Sequence, residues 1–297
     1  MEHVGSLRIE QRHLQCFAGT DKVFLRDPRG KSSTPSLLYD DSTPLPVIVA
    51  QGPFQLRYNY TVSREQGVRF CDVTGDPNPI HRDTDIVAGA LTASKVIAPF
   101  EVLCPALQIR SVQMKFRGFC RYGRTIRSVF RCVPGADGTV SIQVKAHQDD
   151  VEVAIARAVG HVLEGAPHTP VREKRVNPAG LTAVKGYFAS LGIDSQGYFD
   201  KGDFADYTYP FGYVLSLPTG EIVRQMSGQG GMLNVLRLQT IDSAKIPITG
   251  SDLPAVRLKR LRPKRTFNRI LTDVIQGVIT YYKGSVIVNP SVDIAAF

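Results

Sequence analysis

Asp76 and His81 are the residues of this chain whose types and spacing suit acid and base chemistry. They lie on Val73-Thr74-Gly75-Asp76-Pro77-Asn78-Pro79-Ile80-His81-Arg82-Asp83, where each proline disfavours helical geometry at the residue before it. Fully extended, that run separates the two side chains by roughly 16 Å. Asn78-Pro79 favours a turn, and a turn there brings both within reach of one water. Gly75, just before the carboxylate, permits positive φ or close approach of the backbone to a ligand. Unperturbed, the two groups titrate at about 3.9 and 6.5, on either side of the range that acid and base work needs. The structural alternative is a turn-capping Asp and a His satisfied by backbone. A metal site is disfavoured in His81-Arg82-Asp83-Thr84-Asp85, because no second His lies nearby and Arg82 intervenes.

The run Thr74-Gly75-Asp76-Pro77-Asn78-Pro79-Ile80-His81, with Asp83 two residues on, resembles the hydratase motif of the MaoC-like, (R)-specific enoyl-CoA hydratases. The resemblance implies that Asp76 and His81 hold and activate the water that adds across an α,β-unsaturated thioester, with Gly75 and Asn78 at the substrate. It implies no metal and no redox cofactor, since the thioester itself acidifies the α-carbon. The substrate would arrive on coenzyme A or on an acyl carrier protein. In that family a Gly after His, at the start of the central helix, stabilises the enolate-like oxygen through its amide. Where the family has an apolar residue, then that His and Gly, this chain has Ala98-Pro99-Phe100, which places Pro99 and Phe100 at the substrate; Pro99 has no N–H to give and Phe100 has one. Ile97-Ala98-Pro99 is similar to another branch of the family, which includes subunits that bind substrate without catalysing. The reading is therefore (R)-specific hydration of trans-2-enoyl thioesters or the reverse dehydration. Its alternatives are a non-catalytic acyl-thioester-binding module, a dehydratase of fatty-acid or polyketide synthesis acting on carrier-bound substrate, and thioester hydrolysis.

Hydrophobic and charged contents of 43% and 21% are those of a globular protein. No apolar run approaches the ~20 residues that span a bilayer, and neither end carries a recognisable address, so a cytoplasmic location is expected. Five cysteines, an odd number without a Cys-x-x-Cys pair, suggest buried reduced thiols rather than a zinc site or disulfide framework. A net charge of +9 points to an anionic partner. Lys115 and Arg117, and the run Arg257, Lys259, Arg260, Arg262, Lys264, Arg265, are either solvated strand faces or a clamp for coenzyme A phosphates or an acidic carrier. No interleaved aromatic pattern suggests nucleic acid. Gly228-Gln229-Gly230-Gly231 reads as a turn before a helix rather than a phosphate loop.

The elements that must position the pair follow from periodicity. Ser63 and Gln66 form a capping box for a helix that delivers the chain into the Gly75-Asp76 loop. Asp83 suits the N-cap of a short helix over 84–91, and Pro99 suits the first turn of the next. From Ser111 the period becomes two, with Val112, Met114 and Phe116 alternating against Gln113, Lys115 and Arg117. Strands over 125–133, 140–146 and 151–163 follow, with a turn at Pro134-Gly135-Ala136-Asp137-Gly138. A helix followed by long antiparallel strands is the plan that the family resemblance calls a hot-dog, a sheet wrapped round a central helix.

The later chain echoes this order: a helix opening at 230–236, after strand-like runs over 211–226, then strands at 256–259, 270–282 and 285–288. The expected fold is α+β, a double hot-dog with a degenerate second half that lacks the Asp/His motif. Its expected parts are an N-terminal extension (1–50), a hot-dog domain (51–165), a linker (166–180) and a second domain (181–297). A double hot-dog contains the pairing that single ones reach by dimerising, so both monomer and homodimer are compatible with it.

Overall fold

The computed structural model describes residues 7–10, 15–17, 21–26, 36–37, 47–50, 52–104, 106–163, 177–199, 208–225, 231–239, 248, 254–258, 261–266, 269–274, 277–281, 284–288 and 291–296. Four short strands come first. β1 (Leu7–Glu10) is antiparallel to β4 (Val47–Ala50), and β2 (Lys22–Arg26) to β3 (Ser36–Leu37). The first repeat then runs β5 (Phe54–Thr61), α1 (Arg64–Thr74), α2 (Ile80–Asp83), α3 (Gly89–Leu103), β6 (Leu107–Phe116), β7 (Thr125–Pro134), β8 (Thr139–Gln148) and β9 (Val151–Val162).

The five long strands pair in the order β5-β7-β8-β9-β6, all antiparallel. Their alternation decides which face meets α3. Val112 and Met114 are buried while Gln113 and Lys115 are exposed, and β7 buries Ile126, Phe130 and Cys132. Every residue of α3 from Ala90 to Leu103 is buried. Phe100 meets Phe130 of β7 edge-on at 5.3 Å between ring centroids. Lys95, fully buried, donates to Tyr58 of β5 and pairs with Asp21 at 2.8 Å. All five cysteines are buried, and none is joined in a disulfide.

The second repeat has α4 (Pro178–Ser190), α5 (Gln196–Phe199), α6 (Phe211–Gln225), β10 (Gly231–Gln239), β11 (Ala255–Leu258), β12 (Leu261–Thr266), β13 (Arg269–Val274), β14 (Gly277–Tyr281), β15 (Gly284–Val288) and β16 (Ser291–Ala296). Helices of 11, 4 and 15 residues in the first repeat are matched by helices of 13, 4 and 15 in the second. β10 pairs antiparallel with β6, so one sheet of 11 strands runs β12-β13-β16-β10-β6-β9-β8-β7-β5-β2-β3 across both. The remaining strands form a separate sheet, β11-β14-β15. Among the described residues no helix is long and apolar enough to cross a membrane.

Several expectations are corrected. Residues 84–91 do not form a helix of their own: Asp83 closes α2, and 89–91 are the first turn of the central helix, which starts at Gly89. Pro99 therefore lies inside α3, not in its first turn. The second repeat's helix is α6, where strand-like runs were expected, and the expected helix over 230–236 is strand β10. Residues 270–282 form two strands, β13 and β14, rather than one. α4 begins at Pro178, inside the expected linker, whose residues 166–176 lie outside the described residues. Both central helices are buried along most of their length, and such a helix shows no polar face for periodicity to detect.

Candidate active site

The loop bearing Asp76 is shaped by its own side chains. α1 starts on the Ser63–Gln66 capping box and ends at Gly75, which takes φ 69°, a left-handed geometry that glycine adopts without strain. Asp76 Oδ1 accepts from the amide of Asn78 at 3.0 Å, and Asn78 Oδ1 accepts from the amide of Ile80 at 3.2 Å. These two successive side-chain turns reverse the chain and open α2, which carries His81. The turn expected at Asn78-Pro79 is present. Asp76 Oδ2 and His81 Nε2 stand 4.0 Å apart, far inside the extended limit.

Both residues are buried, with 5% and 7% of their surface exposed, and so is Asn78. His81 Nδ1 lies 3.2 Å from the carbonyl oxygen of Ile86, which can only accept, so the ring proton is assigned to Nδ1. Nε2 then carries a lone pair facing Asp76, with the amide nitrogen of Asn78 3.5 Å away. The hydroxyl of Tyr122 donates to the backbone carbonyl of His81 at 2.9 Å. Burial lowers the His81 pKa from its ordinary 6.5, against the Asp76 carboxylate and the Ile86 hydrogen bond, which raise it. Neutral imidazole is the resting form at pH 7.

Ile86, whose carbonyl holds the ring, is three residues before Gly89, the first residue of α3. Three residues of chain reach at most about 10 Å. The first intrahelical bond is from the Thr92 amide to the Ala88 carbonyl, 3.0 Å. The amides of Gly89, Ala90 and Leu91 have no acceptor among the described residues, and Ala88 offers no side-chain cap. A glycine thus stands at the start of the central helix, eleven residues before Phe100, the position aligned with the family's glycine. Pro99 is about 15 Å further along the helix at 1.5 Å per residue, so neither Pro99 nor Phe100 supplies a helix-terminal amide. The signal in the sequence was Gly89 opening a fifteen-residue segment whose only charges are Lys95 and Glu101.

The basic residues expected at the substrate are not gathered here. Lys115 is exposed on the sheet face opposite α3, beside a groove of ≈ 280 Å³ lined also by Lys145 and Arg157. Arg117 pairs with Glu152 at 2.9 Å. Lys259 and Arg260 lie outside the described residues, as does the side chain of Arg257.

Known structures share this architecture. A MaoC-like dehydratase from Phytophthora capsici matches with a TM-score of 0.52 at 11% identity, over 83% of this chain and 96% of that one. A conserved hypothetical protein from Mycobacterium tuberculosis, described as having a double hot-dog fold, matches with a TM-score of 0.52 at 8% identity, over 80% of this chain and 94% of that one. The fold is a double hot-dog. No protein-family model matches the sequence, and no curated protein does.

Within the double hot-dog, the second repeat shows what stands where the pair would be. Gly192, with φ 66°, follows α4 as Gly75 follows α1. Ile193 then takes the place of Asp76, and Tyr198, six residues after Gly192, takes that of His81. The Tyr198 hydroxyl donates to the carbonyl of Thr208 at 3.0 Å, three residues before α6, as His81 donates to Ile86 three residues before α3.

Proposed function

We propose that the protein adds water to trans-2-enoyl thioesters, giving (R)-3-hydroxyacyl thioesters, or runs the reverse dehydration. The observation that carries this reading is the 4.0 Å gap between Asp76 Oδ2 and the unprotonated Nε2 of His81. A water at about 2.8 Å from each would see the two acceptors at about 90°, so one molecule can donate a hydrogen to both. With both hydrogens held, its lone pairs face outward to the β-carbon. As the C3–O bond forms, Nε2 takes one proton from the water and passes it to C2, which returns the imidazole to its neutral form, while the Asp76 carboxylate holds the hydrogen that stays on the new hydroxyl and stabilises the transient imidazolium. The unpaired amides at the start of α3 suit the oxygen of the thioester, where negative charge grows. The acyl group would be carried on coenzyme A or an acyl carrier protein, and no step calls for a metal or redox cofactor. The ground for a non-catalytic binder was Pro99-Phe100 where the family has His-Gly; Gly89 at the helix start weighs against it.

The test is hydration of crotonyl-CoA and longer enoyl-CoAs by the wild type, Asp76→Asn and His81→Ala. Each variant should turn over at least ~100-fold more slowly. Wild-type turnover in either one would end these assignments, and release of free thiol in place of hydration would move the protein to thioester hydrolysis.

A further inference from the structure

We propose that α6, the central helix of the repeat without the acid and base, is a strut that sets the position of Asp76, with Gly220 and Arg224 as its positioning residues. The inference rests on the reading of Asp76 and His81 as the reacting pair.

The strut is fixed at both ends. At its start, the carboxylate of Glu101 on α3 accepts from the amides of Phe211 and Gly212, the first two residues of α6. An anion at that end is favoured by the exposed N–H groups and the helix dipole. Near its other end the helix presses on the loop of the candidate site. A Cβ on Gly220 would stand 2.8 Å from the carbonyl oxygen of Gly75, 3.0 Å from its carbonyl carbon and 3.2 Å from the carbonyl oxygen of Thr74. Backbone therefore lies directly on backbone. One turn later, Arg224 Nη1 donates to the same Gly75 oxygen at 3.2 Å. Glu221 holds the guanidinium in place, 3.0 Å from Nε and 2.9 Å from Nη2.

The carbonyl gripped in this way belongs to the peptide that joins Gly75 to Asp76. Rotation of that peptide swings the Asp76 side chain; the Asp76 amide is held by the Cys71 carbonyl at 2.9 Å, and Arg224 holds the oxygen on the opposite side. A misplacement of about 1 Å at a reacting group is worth roughly 100-fold in rate. The half of the molecule without the acid and base thus contributes to the chemistry through geometry.

The test compares Arg224→Ala, Arg224→Lys and Gly220→Ala with wild type in the full chain. Arg224→Ala should lower kcat by about 10-fold or more with KM within about two-fold and an unchanged thermal midpoint. Arg224→Lys should recover part of the loss, since its ammonium can still donate to the Gly75 oxygen, and Gly220→Ala should lower kcat further. A readout independent of turnover is the NMR titration of the His81 imidazole. Asp76 is the charged group acting on that ring, so moving it away should lower the His81 pKa in Arg224→Ala. An unchanged His81 titration, or a raised KM with wild-type kcat, overturns the strut. A wild-type protein that hydrates no enoyl thioester overturns the proposed reaction instead, and leaves the titration to judge the strut alone.

Discussion

In the first repeat a left-handed glycine is followed at once by a carboxylate and, five residues later, by an imidazole; in the second, the same places hold Ile193 and Tyr198. Both rings make the same contact, a hydrogen bond to the carbonyl three residues before the central helix. That contact belongs to the scaffold, because it persists where no acid accompanies it. A phenol offers a single oxygen, which here lies against both the carbonyl and the hydroxyl of Thr208, whereas an imidazole keeps a second nitrogen that faces Asp76. The repeats therefore separate what the loop needs to fold from what it needs to react.

Copying the second repeat into the first is the severest way to break this comparison. Asp76→Ile with His81→Tyr should remove hydration by ~10²–10⁴-fold, read as kcat/KM on crotonyl-CoA. Next in size is the charge unique to the first central helix. α3 buries Lys95 against Asp21, whereas the buried stretch 212–220 of α6 holds no charge. Lys95→Met strands a buried carboxylate and should cost about 3–5 kcal/mol in urea denaturation. A pH profile sharpens the contrast further. Neutral His81 is the working form and its pKa is lowered by burial, so kcat/KM should be flat with respect to it near pH 7 and fall only below its ordinary 6.5. The sign for stability agrees: the contribution from a neutral buried His81 is full above 6.5 and is lost as pH falls through the lowered value. Tyr198→Phe should leave turnover within about two-fold and cost about 1–2 kcal/mol, because the Thr208 carbonyl loses its donor. Smallest are the helix caps, where Ser63→Ala on α1 and Asn177→Ala on α4 should each cost about 1 kcal/mol by the same denaturation.

What the sequence disclosed follows from which interactions are local. The Ser63 capping box, the turn at Asn78-Pro79 and the alternation in β6, β7, β8 and β9 are each set by neighbours in the chain, and each is where the residues placed it. The start of α3 was hidden because Asp83, a good cap by type, is already inside α2, and Ala88 caps nothing. α6 was hidden by Pro218 and Gly220, both of which argue against helix in isolation. Gly220 is explained only by the Gly75 backbone against it, a contact that joins residues far apart in the chain. Asp21, buried with Lys95, was equally silent, since nothing near it in the sequence announces a partner.

The seam between β6 and β10 carries a last consequence. Its register runs from Ser111 opposite Gln239 to Lys115 opposite Val235, and it satisfies an edge that would otherwise be bare. A fragment ending at Leu163 would expose that row of amides and carbonyls and, finding no β10, would zip to a second fragment along it. This chain thus closes within itself, at β6 and β10, a join for which its front portion alone would have to recruit a twin.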